Sequence, residues 1–280
     1  MIAAGALASL ALLRVHVLVV GLPGYPVLRL RAEAAVRARS WVVTTAPADA
    51  DLLLVCGTQD PEVAAAVDAL WWRVPAPRAR RTIGSAEELE DALDSAARVL
   101  GDRELQRRAA EHRGPAPVAT PEGAFGPLGV AWPPGLVVEC ATGPGGRIAA
   151  VGVRRIGPAA EEDAPPGLLA AADAARLLRL TRWEAPAHRL DRVVDLLLAG
   201  APPERVRSPL RRVAALVGRS ASYRWSAGAD VPAVDLRQRV LALLTAAIDG
   251  TDAPTTRRRL IGARVGDVPA IVAVTEAVGG

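Results

Sequence analysis

The chain has 280 residues, 51% of them apolar, which supplies material for a sizeable core and excludes a wholly disordered protein. Its net charge of +4 comes from 34 Arg dispersed among 30 carboxylates, with no run longer than Arg257, Arg258 and Arg259. The concentrated basic stripe with aromatic platforms that marks a nucleic-acid binder is missing, so no nucleic-acid partner is expected.

Lys and Asn are absent throughout. Both use A-rich codons, so a GC-rich gene accounts for the bias, and some surface Arg stands in for Lys. Aromatic residues are only 3%, six of them Trp, so the cores are expected to be built from Ala, Val and Leu. Cys56 and Cys140 are far apart with unlike surroundings, which suits buried cytoplasmic thiols better than a disulfide scaffold or a metal site.

Residues 2–13 are apolar until Arg14 and His16 interrupt them. The stretch is too short to span a bilayer and lacks the flanks of a signal peptide, so it is expected to pack on the core or on a partner. Residues 15–20 form a Val-rich run ending at Gly21, the pattern of a buried central strand. A turn at residues 22–26 leads to a helix at 27–38, a second strand at 41–45, a loop at 46–49 and a third apolar strand at 51–56. Asp60 and Pro61 open the next helix, which runs to about Trp72 before Pro75 and Pro77 break it. A short strand at 80–83 follows, and Ser85 with Glu88 reads as a capping box for a helix ending near Leu100. Strands alternating with helices predict a parallel α/β sheet.

The Pro-, Gly- and Ala-rich stretch 113–134 is the best boundary, dividing an α/β domain at 14–112 from a second domain at 135–280. That second domain opens with a β-hairpin, 136–141 and 147–153 around Gly143-Pro144-Gly145-Gly146. Helices are then expected at 168–183, 187–198, 204–217 and 234–248, with a short one at 269–277.

No complete catalytic, metal or nucleotide constellation emerges, and no cofactor is expected. The loop Gly21-Leu22-Pro23-Gly24 sits where open α/β sheets bind ligands, and Gly57 with Thr58 follows the third strand. Yet the loop lacks the third glycine of a dinucleotide fingerprint and the Lys-Ser/Thr of a phosphate loop, and Pro23 and Pro26 remove amide donors. A plain turn is the favoured reading; nucleotide or quinone binding by a stand-alone protein is the alternative. His16 reads as a strand residue and His112 as a helix-end residue. His188 lies near Asp191 and Asp195 on one helix, three residues from Asp191 and so able to touch it, but has no nearby Cys or second His to complete a metal site. Ser85 and Ser208 read as caps, and Glu161, Glu162 and Asp163 as a solvated loop. Trp71, Trp72, Trp132 and Trp183 are the candidate interface anchors.

The segment Ala46-Pro47-Ala48-Asp49-Ala50-Asp51, its apolar strand and Gly57-Thr58 resemble the central part of the small iron–sulfur subunit of proton-pumping NADH:quinone oxidoreductase (respiratory complex I) and related [NiFe]-hydrogenases. Val74-Pro75-Ala76-Pro77-Arg78 is similar to that family's Pro-x-Pro-Arg/Lys turn, and Gly84-Ser85 to the Gly-Ser before a cluster cysteine. The resemblance covers roughly residues 14–100 and implies a flavodoxin-like fold. The family's cluster cysteines are replaced by Gly24-Tyr25 and Ala86, with none later in the domain. The resemblance therefore implies a relative that has lost its [4Fe–4S] cluster. Residues 126–132 and the hairpin look somewhat like the start of the partner large subunit. The expected role is that of a non-catalytic accessory or scaffold subunit of a membrane-associated respiratory assembly, cytoplasmic or peripheral, partnered by other protein subunits. An assembly factor is a further alternative.

Overall fold

A computed structural model describes residues 14–111, 114, 123–128, 132–157, 164–220, 233–251, 257–259, 268, 272 and 276–278. The apolar stretch 2–13, His112, most of the linker, and Glu161, Glu162 and Asp163 lie outside the described residues. The chain divides into two compact units, one formed by 1–120, 127–130 and 156–162, the other by 121–126, 131–155 and 163–280.

In the first unit, β1 (His16–Gly21) runs parallel to β2 (Val42–Thr44) on one side and to β3 (Leu52–Cys56) on the other, and β4 (Ala79–Ile83) extends the sheet beyond β3. The order β2-β1-β3-β4 is the flavodoxin-like order through its first four strands. All five residues of β3 are buried because helices cover both faces of the sheet. Alternate residues of β1 and β3 face opposite sides. Val17, Leu52, Leu54 and Cys56 pack with Leu28, Ala32 and Val36 of α1 (Pro26–Ala38) and Leu89, Leu93 and Ala96 of α3 (Leu89–Gly101). Leu18, Val20, Leu53 and Val55 pack with Val63 and Val67 of α2 (Pro61–Arg73).

Local chemistry sets the helix ends. Pro26 supplies the fixed φ of a first turn to α1, and the Asp60 carboxylate accepts from the Glu62 amide at 3.0 Å to cap α2. The capping box expected at Ser85 takes a different form. α3 begins at Leu89, and the Glu88 carboxylate reaches back to accept from the Gly84 amide (3.2 Å) and the Ser85 hydroxyl (3.3 Å). After Asp102 the chain re-enters a separate helix, α4 (Arg103–Glu111), where the Asp102 carboxylate accepts from the Leu105 amide at 3.0 Å.

In the second unit, β6 (Leu136–Thr142) and β7 (Ile148–Arg155) form the antiparallel hairpin expected from the Gly-rich loop. A two-residue strand, β5 (Ala124–Phe125), pairs with β6 from within the Pro/Gly-rich stretch. Four helices follow: α5 (Leu168–Leu180), α6 (Glu184–Leu198), α7 (Pro203–Arg219) and α8 (Ala233–Asp249). Their buried stripes of Ala, Val and Leu face one another, including Ala171, Ala174, Leu177, Leu178, Leu190, Val194, Leu210, Val213, Val240 and Leu244. The helix expected at 269–277 is corrected at its end: Glu276–Val278 is a strand, β9, parallel to β8 (Arg257–Arg259). The run at 270–274 is continuously apolar, a pattern that fits a strand as well as a helix.

Candidate functional site

In a sheet of this order the crevice between the carboxyl ends of β1 and β3 is where ligands are received. Here that crevice contains a side chain of the protein itself. Gly21 and Cys56 are partners in register, and the Leu22 amide continues the ladder by donating to the Cys56 carbonyl at 2.9 Å. The chain then turns through Gly24, at φ +88°, with the Tyr25 amide donating to the Leu22 carbonyl at 3.2 Å. This turn lays the Tyr25 ring over Gly57. A Cβ added at Gly57 would stand 2.4 Å from the ring, and Gly57 itself holds φ +119°, a conformation that favours glycine. The Tyr25 hydroxyl and the Thr58 hydroxyl are hydrogen-bonded at 3.0 Å. The ring also packs against the apolar clusters on both faces of the sheet.

The residues weighed from sequence as ligand-binding, Gly21, Gly24, Gly57 and Thr58, are thus brought together, but around Tyr25. A Cβ on Gly21 would meet Arg29 Cδ at 2.8 Å, so that glycine admits the α1 side chain. The amides that would cradle an anion are largely taken up. Leu22 and Tyr25 donate within the fold, and Pro23 and Pro26 have no N–H.

The residues do not fit an iron–sulfur cluster. Its ligands are thiolates, and the two cysteines of the chain lie in different units. Cys56 is fully buried in β3 on the face covered by α1 and α3, and Ala86 packs against the same cluster. Cys140 lies in β6, and burial pushes its thiol up from the ordinary range, away from the thiolate a metal requires.

The histidines have local roles. The His16 ring nitrogen Nδ1 pairs with the Asp49 carbonyl at 3.1 Å, and its amide donates to the Asp51 carboxylate at 2.8 Å. His188 is exposed, while Asp191, 6% exposed, accepts from the Arg179 guanidinium across α5 and α6. Among the described residues no group of three or more His, Cys, Asp or Glu is placed to hold a metal ion.

The candidate anchors divide. Trp132 is a core residue, 8% exposed, stacked with Phe125 at 6.0 Å between centroids and donating its indole N–H to the Leu136 carbonyl at 2.7 Å. It therefore offers no face to a partner. Trp71, Trp72 and Trp183 are half-buried, and the Arg78 guanidinium lies over one face of the Trp71 ring, 4.3 Å from its centroid. No helix among the described residues is long and apolar enough to cross a membrane. The chain matches no protein-family model, no curated protein and no solved structure.

Proposed function

We propose that this chain is a non-catalytic accessory or scaffold subunit of a complex I-like or hydrogenase-like membrane-associated assembly, derived from an electron-transfer subunit and working by binding other subunits. The observation that carries this reading is Tyr25. It stands where the resembling family places a cluster cysteine, and its ring fills the switch-point crevice over Gly57. A fold that closes its ligand crevice with its own side chain keeps its surfaces as the means of acting. Half-buried Trp71 and Trp72 on α2, and Trp183 before α6, supply the large rigid aromatic area that anchors protein interfaces. The same plug argues against the alternative in which a stand-alone protein binds a nucleotide or quinone at the Gly21–Gly24 loop.

The test is affinity recovery of the tagged full chain from gently solubilised membranes of its native host, with mass spectrometry of what comes with it. Stoichiometric recovery with a hydrogenase- or complex I-type large subunit and membrane subunits is the expected result. Substoichiometric recovery would make it an assembly factor, and recovery of the chain alone would overturn the reading.

A further inference from the structure

Helix α7 carries a charge pattern that neither the sheet nor the crevice uses. At about 100° per residue, its buried Val206, Leu210, Val213 and Val217 fall within an arc of about 60°. On the opposite side Arg205, Arg207, Arg211, Arg212 and Arg219 spread over about 160°, and all five are exposed. Glu204 is the one carboxylate of this helix. Four of these Arg, 207, 211, 212 and 219, line one surface concavity along the helix, with Glu204 at its end, a surplus of three positive charges. Arg212 and Arg219 each donate through Nε to a carbonyl of the preceding turn, Ser208 at 3.5 Å and Ala215 at 3.2 Å.

The charge is also unevenly divided. The first unit holds 14 Arg against 16 carboxylates, a net −2, whereas the second holds 20 against 14, a net +6. The basic excess of the chain therefore belongs to the unit that presents this helix.

The chemistry of the face selects among anionic partners. α7 contains no aromatic residue, so it has neither the stacking platform of a single-strand nucleic-acid site nor the aromatic anchor of a protein hot spot. Its apolar stripe is occupied by the helical core, so it does not insert into a bilayer as an amphipathic helix would. What remains is a row of guanidinium forks suited to an extended array of phosphates. We propose that this face of α7 docks the chain on an anionic phospholipid surface by contacting headgroup phosphates. The inference rests on the reading of the chain as part of a membrane-associated assembly and names the surface it meets there.

The experiment uses the purified full chain and lipid vesicles alone, so its outcome is independent of whether partner subunits are recovered. Flotation is measured with vesicles containing phosphatidylglycerol and with pure phosphatidylcholine. The expected result is binding to the anionic vesicles only, abolished at 1 M salt, where the screening length falls to about 3 Å. The variant R207Q/R211Q/R212Q is expected to bind about 100-fold more weakly, since each basic group near an anionic surface contributes about fivefold. These side chains are exposed, so the variant keeps its thermal transition. The control R103Q/R107Q/R108Q removes the same charge from α4 and is expected to bind as the parent does. Equal binding to neutral vesicles, equal losses in the two variants, or tighter binding to a nucleic-acid duplex than to the vesicles at the same salt would each overturn the proposal.

Discussion

The guanidinium of Arg78 lies over the ring of Trp71, 4.3 Å from its centroid, and donates to the Trp71 carbonyl at 3.0 Å and the Val74 carbonyl at 3.2 Å. Arg78 thus ties off the C-terminal end of α2, where the last carbonyls have no partner within the helix. Its own backbone is held in turn by Gln106 of α4. The Arg78 amide donates to Oε1 at 2.7 Å, and Nε2 donates to the Arg78 carbonyl at 3.0 Å and to the Val99 carbonyl at 2.8 Å. Arg78 is only 8% exposed, so nothing in water replaces these bonds.

Arg78→Ala is therefore expected to destabilise the first unit by about 3 kcal/mol, through lost charge-assisted bonds and carbonyls left dry. Arg78→Lys keeps the charge but not the planar fork, and is expected to cost more than half as much. Denaturant titration followed by Trp fluorescence measures both. A loss below about 1 kcal/mol for Arg78→Ala would show that water takes over the carbonyls.

The relation between Tyr25 and Gly57 makes a prediction about coupling. Gly57→Ala places a methyl within 2.4 Å of the ring at a φ of +119°, so it carries both a clash and a backbone penalty. Tyr25→Ala alone removes half-buried aromatic packing at a cost of about 2 kcal/mol. In the double variant the clash is gone and only the backbone strain remains. Its loss is expected to fall short of the sum of the singles by about 1–2 kcal/mol, as for residues in direct contact. Strict additivity in a denaturant cycle would mean the ring does not rest on Gly57 in solution.

The sheet was legible because each strand of the first unit is announced locally. The runs at 17–20 and 52–56 are continuously apolar, as burial on both faces demands, and glycine ends each one. The end of α3 near Leu100 was legible, but α4 was not, because its nine residues bury Gln106 and carry no apolar stripe to mark a period. β5 escaped because two residues carry no period, and its partner lies more than ten positions on. The candidate site was half legible: the loop glycines stood out, but the ring between them belongs to a residue that reads as a mere substitution for a ligand. The basic face of α7 was hidden because its Arg are spaced around turns rather than in a run, and only the helical wheel assembles them.

Cysteine reactivity separates the two units. Cys56 is fully buried in β3, so it is expected to react with a thiol reagent only after denaturation. Cys140 is partly exposed, but burial disfavours its thiolate and raises its pKa. Its labelling at pH 7 is therefore expected to be slower than that of a free thiol, and to speed up only as pH passes above the ordinary thiol value of about 8.5. A time course at several pH values, with mass mapping of the labelled peptide, checks this. Fast labelling of Cys140 at neutral pH would contradict the burial-driven shift.

The pair Arg179–Asp191 joins α5 to α6 and has two unequal ends. The Asp191 side chain is 9% exposed and that of Arg179 is 28% exposed. Removing one partner leaves the other charge facing a largely dry contact. Arg179→Ala strands the Asp191 carboxylate in that contact and is expected to cost about 3 kcal/mol, and Asp191→Ala less, about 1–2 kcal/mol, because the Arg179 left behind is partly open to solvent. Replacing both by apolar side chains of similar volume, Arg179→Met with Asp191→Leu, removes the desolvated charges together. That double variant is expected to be more stable than Arg179→Ala alone. Calorimetry of the three variants reads the order directly. If the apolar pair were the least stable of them, the ion pair would be holding α5 against α6 by its geometry rather than merely neutralising a buried carboxylate.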